Sequence, residues 1–130
     1  MARRKIVKQW LLYSIRDLKQ AQKILTMGPE MKYGAAFHAQ QCVEKAVKAY
    51  LVSQDSRPPR IHDIEKLGNI VAEMNVELAR LVRRSKRLTR FAVAYRYPDA
   101  ELKAVTFSTI KNHVKLAKAI YDLVLQLIGK

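Results

Sequence analysis

The sequence contains few of the residues that interrupt helices or cross-link small folds. It has 4 Gly, 4 Pro and a single cysteine, Cys42, among 130 residues. A lone cysteine excludes a disulfide within the chain and argues against a metal site built on cysteines. Because long stretches contain neither Gly nor Pro, the composition favours long helices over a fold of strands and tight turns.

Long hydrophobic runs are missing as well. No segment approaches the roughly 20 consecutive apolar residues that a helix needs to cross a bilayer. The basic first five residues are followed by charged positions rather than by the apolar stretch of a signal peptide. We therefore expect a cytoplasmic protein without a membrane partner.

Acidic residues are scarce, since 11 Asp and Glu stand against 25 Lys and Arg and give a formal net charge of +14. Such a charge attracts polyanions and raises their local concentration. Nucleic acid or nucleotide is the partner that this balance favours. An acidic protein partner and the lysine-rich surface of a thermophilic protein are the alternatives.

The spacing of apolar residues predicts the fold class. A chain of this length suits one domain that folds without cross-links. Apolar positions recur every three or four residues and predict helices over about 5–26, 32–53, 76–91 and from 106–108 to 129. A shorter helix is predicted from 62 to between 71 and 74, and a break over 95–99. We predict a single all-α domain over residues 1–130, an up-and-down four-helix bundle with one additional short helix.

The last predicted helix carries two neighbouring apolar stripes. A regular first stripe runs from Phe107 to Ile128, and the second consists of Leu116, Ile120, Leu123 and Leu127. A helix with two apolar faces is either central in its bundle or shared with another subunit. We expect the second arrangement, and therefore a homodimer.

A polar stripe on the second predicted helix is the first candidate site. It consists of Gln41, Glu44, Lys45 and Lys48, which lie within about one turn of each other. The stripe can line a ligand groove. The alternative is a solvated face with an ordinary Glu44–Lys48 pair.

A run of basic residues is the second candidate. Six of the eleven residues from 80 to 90 are basic and none is acidic. On one helix, a broad face gathers Arg80, Arg83, Arg84, Arg87 and Arg90. Like charges this close repel unless an anion offsets them, and arginine suits phosphate bidentately. RNA or nucleotide is the indicated ligand, with a merely solvated face as the alternative.

The segment 95–99, which reads Tyr-Arg-Tyr-Pro-Asp, is the third candidate. The two tyrosines can stack on a base, and Arg96 between them can bind a phosphate. The alternative is structural: Arg96 pairs with Asp99 or Glu44, and Tyr95 and Tyr97 pack.

Three stretches taken together resemble the HEPN family, nucleotide-binding domains of prokaryotes and higher eukaryotes. They are Trp10 with residues 14–18 and Ala21, residues 37–49, and residues 96–99; His62 and Asp63, with Leu67 after a proline-containing loop, also fit. The resemblance implies a helical bundle that dimerises. It also implies action beside a small nucleotidyltransferase, frequently as a toxin–antitoxin pair.

Some members of the resembled family are metal-independent ribonucleases with an arginine followed four to six residues later by histidine. This sequence has no such histidine: the corresponding positions after Arg90 are Tyr95, Arg96 and Tyr97. Cleavage through a 2′-hydroxyl needs a group that accepts a proton near neutral pH, and tyrosine is a poor substitute for histidine. The sequence therefore favours binding over catalysis. In the catalytic alternative, Arg90, Tyr95 and Arg96 are the candidate residues, with His62 or Tyr95 handling protons.

The leading hypothesis is a homodimeric module that binds nucleotide or RNA phosphates, as the partner subunit of a minimal nucleotidyltransferase. The predicted groove consists of Gln41, Glu44, Lys45, Lys48, Arg96, Tyr97 and Asp99, and the basic face supplies long-range attraction. The alternatives are a metal-independent ribonuclease toxin and a non-catalytic subunit that docks an acidic partner. We expect neither a cofactor nor a metal.

Overall fold

The computed structural model describes residues 2–97 and 105–129. Within these ranges the chain forms six α-helices and one 3-10 turn, and none of these residues lies in a strand. The helices are α1 Ala2–Leu25, α2 Lys32–Ser53, α3 Ile64–Ala72, α4 Val76–Arg84, α5 Leu88–Arg96 and α6 Phe107–Ile128, with the 3-10 turn at Pro29–Met31. The all-α prediction is confirmed.

Helix α2 lies at the centre of the bundle. Fifteen of its 22 residues are buried, so its surface is covered almost all round by α1, α5 and α6. Five buried alanines, at positions 35, 36, 39, 46 and 49, let the neighbouring helices approach closely. Because α2 is central, polar side chains on it must find partners inside the fold.

Side-chain caps begin three of the helices. The carboxylate of Asp63 accepts the Lys66 backbone N–H at 3.2 Å, and the side chain of Asn75 accepts that of Leu78 at 2.8 Å. Thr106 caps α6 in the same way. Each cap satisfies one of the orphan backbone donors of a first turn, and Asp63 and Asn75 open the helices that the sequence predicted there.

The single helix predicted over 76–91 is wrong, because α4 ends at Arg84 and α5 begins at Leu88. The hydroxyl of buried Ser85 donates to the Val82 carbonyl at 2.6 Å, a local bond that competes with helix continuation. Val82 and Leu88 are both fully buried, so the apolar spacing runs through the turn and hides it. The predicted break at 95 is also corrected: residues 95 and 96 belong to the last turn of α5.

Both apolar stripes of α6 pack within the chain. Ile120 of the second stripe is fully buried, and Leu116, Leu123 and Leu127 are half-buried against the core. Only five of the 22 residues of α6 are buried, so the second stripe packs against the core with part of its surface still exposed to solvent. None of the helices in the described ranges has the length and apolarity needed to cross a bilayer.

Candidate functional site

A carboxylate on α1 contacts the middle of α2. One carboxylate oxygen of buried Asp17 accepts a hydrogen bond from the Lys45 ammonium at 2.6 Å. The other carboxylate oxygen lies 2.8 Å from Nδ1 of His38. The Lys45 ammonium also lies 5.9 Å from the centre of the Tyr13 ring on α1. The charge of Lys45 is therefore neutralised by a neighbouring helix, and the contact fixes α1 against α2.

A second carboxylate, that of Glu44, holds the loop before α3. Its Oε1 accepts a hydrogen bond from the Lys48 ammonium at 2.8 Å and lies 2.6 Å from Nδ1 of His62. Its Oε2 accepts a hydrogen bond from the Gln40 side-chain amide at 3.0 Å. Gln40 also donates to the His62 carbonyl at 3.1 Å. The Glu44 and Lys48 side chains are only 4% and 9% exposed, whereas His62 is 77% exposed. The contacts of Gln40 and Glu44 with His62 therefore attach the loop before α3 to α2.

The polar stripe is therefore an internally paired network. Gln41, the remaining member, is half-buried and donates to the side-chain oxygen of Gln40 at 2.8 Å. The ammonium of Lys48 lies over the Trp10 ring, 5.5 Å from its centre. Both charges of the Glu44–Lys48 pair are satisfied within the chain, and removing either partner would leave a buried charge unpaired. The Glu44–Lys48 pair is thus buried, and the solvated-face interpretation does not describe it.

An aromatic stack lies at the N-terminal end of α2. The rings of Phe37 and Tyr95 are stacked, with centroids 5.1 Å apart and planes 24° apart. The guanidinium carbon of Arg96 lies 5.7 Å from the centre of the Phe37 ring. Gly34 leaves room for this arrangement, because a Cβ added there would lie 3.2 Å from the Tyr95 ring. Sequence reasoning missed Phe37 and Gly34, although their spacing of three on α2 places them on one face.

The polar stripe lies on the same face of α2 as Phe37, the residue that Tyr95 and Arg96 of α5 contact. Phe37, Gln41, Glu44 and Lys48 follow one another at spacings of four, three and four, which is one side of a helix. Glu44 lies seven residues from Phe37, about 10 Å along the axis. Arg96 contacts Phe37, whereas Glu44 binds the side chains around it, so the predicted Arg96–Glu44 pair is absent from the described residues. Asp99 and Pro98 lie outside those residues.

The basic residues predicted to share one helix lie on two short helices, α4 and α5, and on the turn at 85–87 between them. All six basic residues from 80 to 90 are nonetheless exposed: Arg80, Arg83, Arg84, Lys86, Arg87 and Arg90. Among the described residues, the only ion pair of these six joins Lys86 to Glu65 at 3.9 Å. Arg83 donates to the Asn69 side chain at 3.0 Å, and its stem crosses Gly68, where a Cβ would lie 2.9 Å from Cγ of Arg83. The Arg87 guanidinium carbon lies 5.4 Å from the centre of the Phe91 ring, and all six cations keep exposed surface that an anion can reach.

The three catalytic candidates, Arg90, Tyr95 and Arg96, all lie on α5 and are exposed. In the part of the chain that the structure describes, no histidine forms a hydrogen bond or ion pair with any of them. His113 packs edge-on against Phe91 and bonds through Nδ1 to the Thr109 carbonyl at 2.9 Å. Among the described residues, α5 thus carries exposed arginines with no histidine bonded to them.

Cys42 lies in the core between α1 and α6. Burial raises the pKa of its thiol to about 12, although a hydrogen bond from Ser14 opposes the shift. The Ser14 hydroxyl lies 2.7 Å from the Cys42 carbonyl and 3.4 Å from the sulfur. A thiol with so high a pKa stays protonated and unreactive at neutral pH.

The chain is similar to a known family and to two solved structures. The family model described as HEPN domain matches residues 7–127. The crystal structure of ST0689, an archaeal HEPN homologue, superposes with a TM-score of 0.71 at 24% identity and covers 94% of this chain and 97% of that one. The crystal structure of TT1696 from Thermus thermophilus gives 0.73 at 25% identity, over 92% and 96%. No curated protein matches the sequence.

Proposed function

Since the chain belongs to the HEPN family over residues 7–127, we propose that it binds the phosphates of nucleotides or RNA through α4 and α5. The observation that carries this proposal is the set of six exposed cations between residues 80 and 90, with one weak ion pair among the described residues. Repulsion between them is relieved when an anion binds. Arginine forks recognise phosphate oxygens bidentately, which suits this ligand class.

The predicted groove residues take a different role in this proposal. Lys45 and Lys48 are held by Asp17 and Glu44, so they position α1, α2 and the loop before α3. Arg96 and Tyr97 are exposed at the end of α5 and remain candidates for direct contact. In this proposal the phosphate surface consists of the cations of α4 and of the first turn of α5, and Arg96 and Tyr97 form a separate candidate contact at the other end of α5.

We extend the proposal to a homodimer that acts as the partner subunit of a small nucleotidyltransferase, in a toxin–antitoxin type pair. The resemblance of residues 10–21, 37–49 and 96–99 to the family supports it. The net charge of +14 also favours assembly with a polyanion or an acidic partner.

The test is salt-dependent RNA binding, measured by fluorescence anisotropy with a labelled single-stranded RNA of about 20 nucleotides. The parent affinity should fall steeply with KCl, because each phosphate contact releases counterions. The double variant Arg87→Gln/Arg90→Gln should bind more weakly and show a log–log salt slope smaller by about 1.4, since each contact to a single strand contributes about 0.7. Both residues are exposed on or beside α5, and the Arg87 guanidinium carbon lies 5.4 Å from the centre of the buried Phe91 ring, so the fold of the variant is checked by circular dichroism.

A matched control removes two charges elsewhere. Lys5 and Lys8 are exposed on the first turns of α1, and Lys8 lies beside Ser53, where α2 ends, far from Phe37 at the other end of that helix. The variant Lys5→Gln/Lys8→Gln should change the slope much less. Binding that does not respond to salt, or equal effects of the two double variants, would refute the proposed surface.

A further inference from the structure

Tyr95 is an aromatic ring fixed at the protein surface. One face of the ring stacks on Phe37 of α2, with planes 24° apart, yet the residue is still 50% exposed. The π-face of a tyrosine ring stacks favourably on other planar groups in offset or tilted arrangements. The exposed part of Tyr95 therefore offers an apolar, planar surface to a ligand.

The ring is held in position before any ligand arrives. It lies on a helix, packs against Phe37, and fits closely over Gly34, the position where a Cβ would meet it at 3.2 Å. A preset aromatic side chain loses little conformational entropy on binding. Its neighbour Arg96 is exposed and lies over the other member of the stack, Phe37. A flat apolar surface thus adjoins a cation.

This pairing matches a nucleotide whose base is unpaired. Each base has a π-face that stacks on tyrosine, and the adjoining phosphate suits an arginine. In a duplex, neighbouring base pairs already cover both faces of internal bases, so these cannot stack on a protein ring. We infer that Tyr95 stacks an unpaired nucleobase as an outer layer on Phe37, so that the chain prefers single-stranded to duplex RNA. The inference rests on the proposed phosphate-binding function.

The experiment compares two RNAs on the full-length chain at one KCl concentration: a labelled oligouridylate of about 12 nucleotides and an RNA duplex of about 12 base pairs. Single-stranded RNA should bind several-fold more tightly to the parent. Tyr95→Leu should weaken single-strand binding about tenfold, in the range measured for loss of one base–aromatic stack. It should leave duplex binding unchanged, and Tyr95→Phe should restore single-strand binding relative to Tyr95→Leu.

The chain offers a matched control in Tyr13, an α1 residue that is 48% exposed. Tyr13→Leu should not change the ratio of single-strand to duplex affinity. Gly34→Ala provides a second test of the same site, because its added methyl would lie 3.2 Å from the Tyr95 ring and require it to shift by a few tenths of an ångström. It should lower single-strand affinity in the same direction, with the fold checked by circular dichroism.

The possible outcomes distinguish a failure of base stacking by Tyr95 from a failure of phosphate binding. Equal parent affinity for the two RNAs, or equal weakening of both by Tyr95→Leu, overturns base stacking and leaves phosphate binding in place. Unchanged single-strand binding by Tyr95→Leu overturns it as well. If the parent binds neither RNA at low salt, the proposed function itself fails.

Discussion

The buried pair between Glu44 and Lys48 gives the sharpest prediction for stability. Glu44→Gln keeps the size of the side chain but removes its charge, and the Lys48 ammonium stays at a position where the residue is 7% exposed. Removing one partner of a buried ion pair typically costs about 3–5 kcal/mol, because the remaining charge is desolvated and unpaired. His62 and Gln40 also lose a charged acceptor. We expect a loss of about 3 kcal/mol in the free energy of unfolding.

The chain contains a matched pair in solvent. Lys118 and Asp122 have the same spacing of four on α6 and a contact of 2.7 Å, but their side chains are 57% and 53% exposed. An exposed pair of this kind contributes about 0.3–0.5 kcal/mol. Asp122→Asn should therefore change stability by less than about 0.5 kcal/mol. Burial, not spacing, separates the two cases.

Urea unfolding followed by circular dichroism measures both variants at one protein concentration, since association would shift the apparent stability. With a slope of about 2 kcal/mol per molar urea, the midpoint of Glu44→Gln should fall by about 1.5 M. Adding Lys48→Met to Glu44→Gln should recover part of the loss, because it removes the unpaired charge. If Glu44→Gln and Asp122→Asn agree within about 0.5 kcal/mol, the pair is solvated and Lys48 is available to a ligand.

Three further predictions concern other parts of the bundle. Asn75→Ala removes the cap of α4 and should cost about 1 kcal/mol of unfolding free energy in the same urea assay, whereas no change would show that the cap is redundant. Cys42, whose pKa burial raises to about 12, should resist iodoacetamide at about pH 8 in the native chain and react in urea, and fast native labelling would contradict its burial. Gly68→Ala should displace the Arg83 stem and weaken RNA binding without unfolding the chain, and unchanged affinity would place Arg83 outside the phosphate surface.

Local patterns in the sequence were sufficient for most of the helices. The bounds of α2 agree with the prediction, and Asp63 and Asn75 cap helices where the sequence placed their starts. Such signals act over three or four residues, so neighbours along the chain are enough to read them. The turn at 85–87 escaped detection because the buried positions 82 and 88 continue the apolar spacing across it.

The sequence by itself determined an all-helical domain, its basic character and the residue types of the candidate site. Only the tertiary structure decided which charges are free: Lys45 meets Asp17 from 28 positions away, and Glu44 meets His62 from 18. The stack of Tyr95 on Phe37 likewise joins two helices that are distant along the chain. Helical periodicity fixes the face on which a residue lies, whereas the register between packed helices fixes what that face meets.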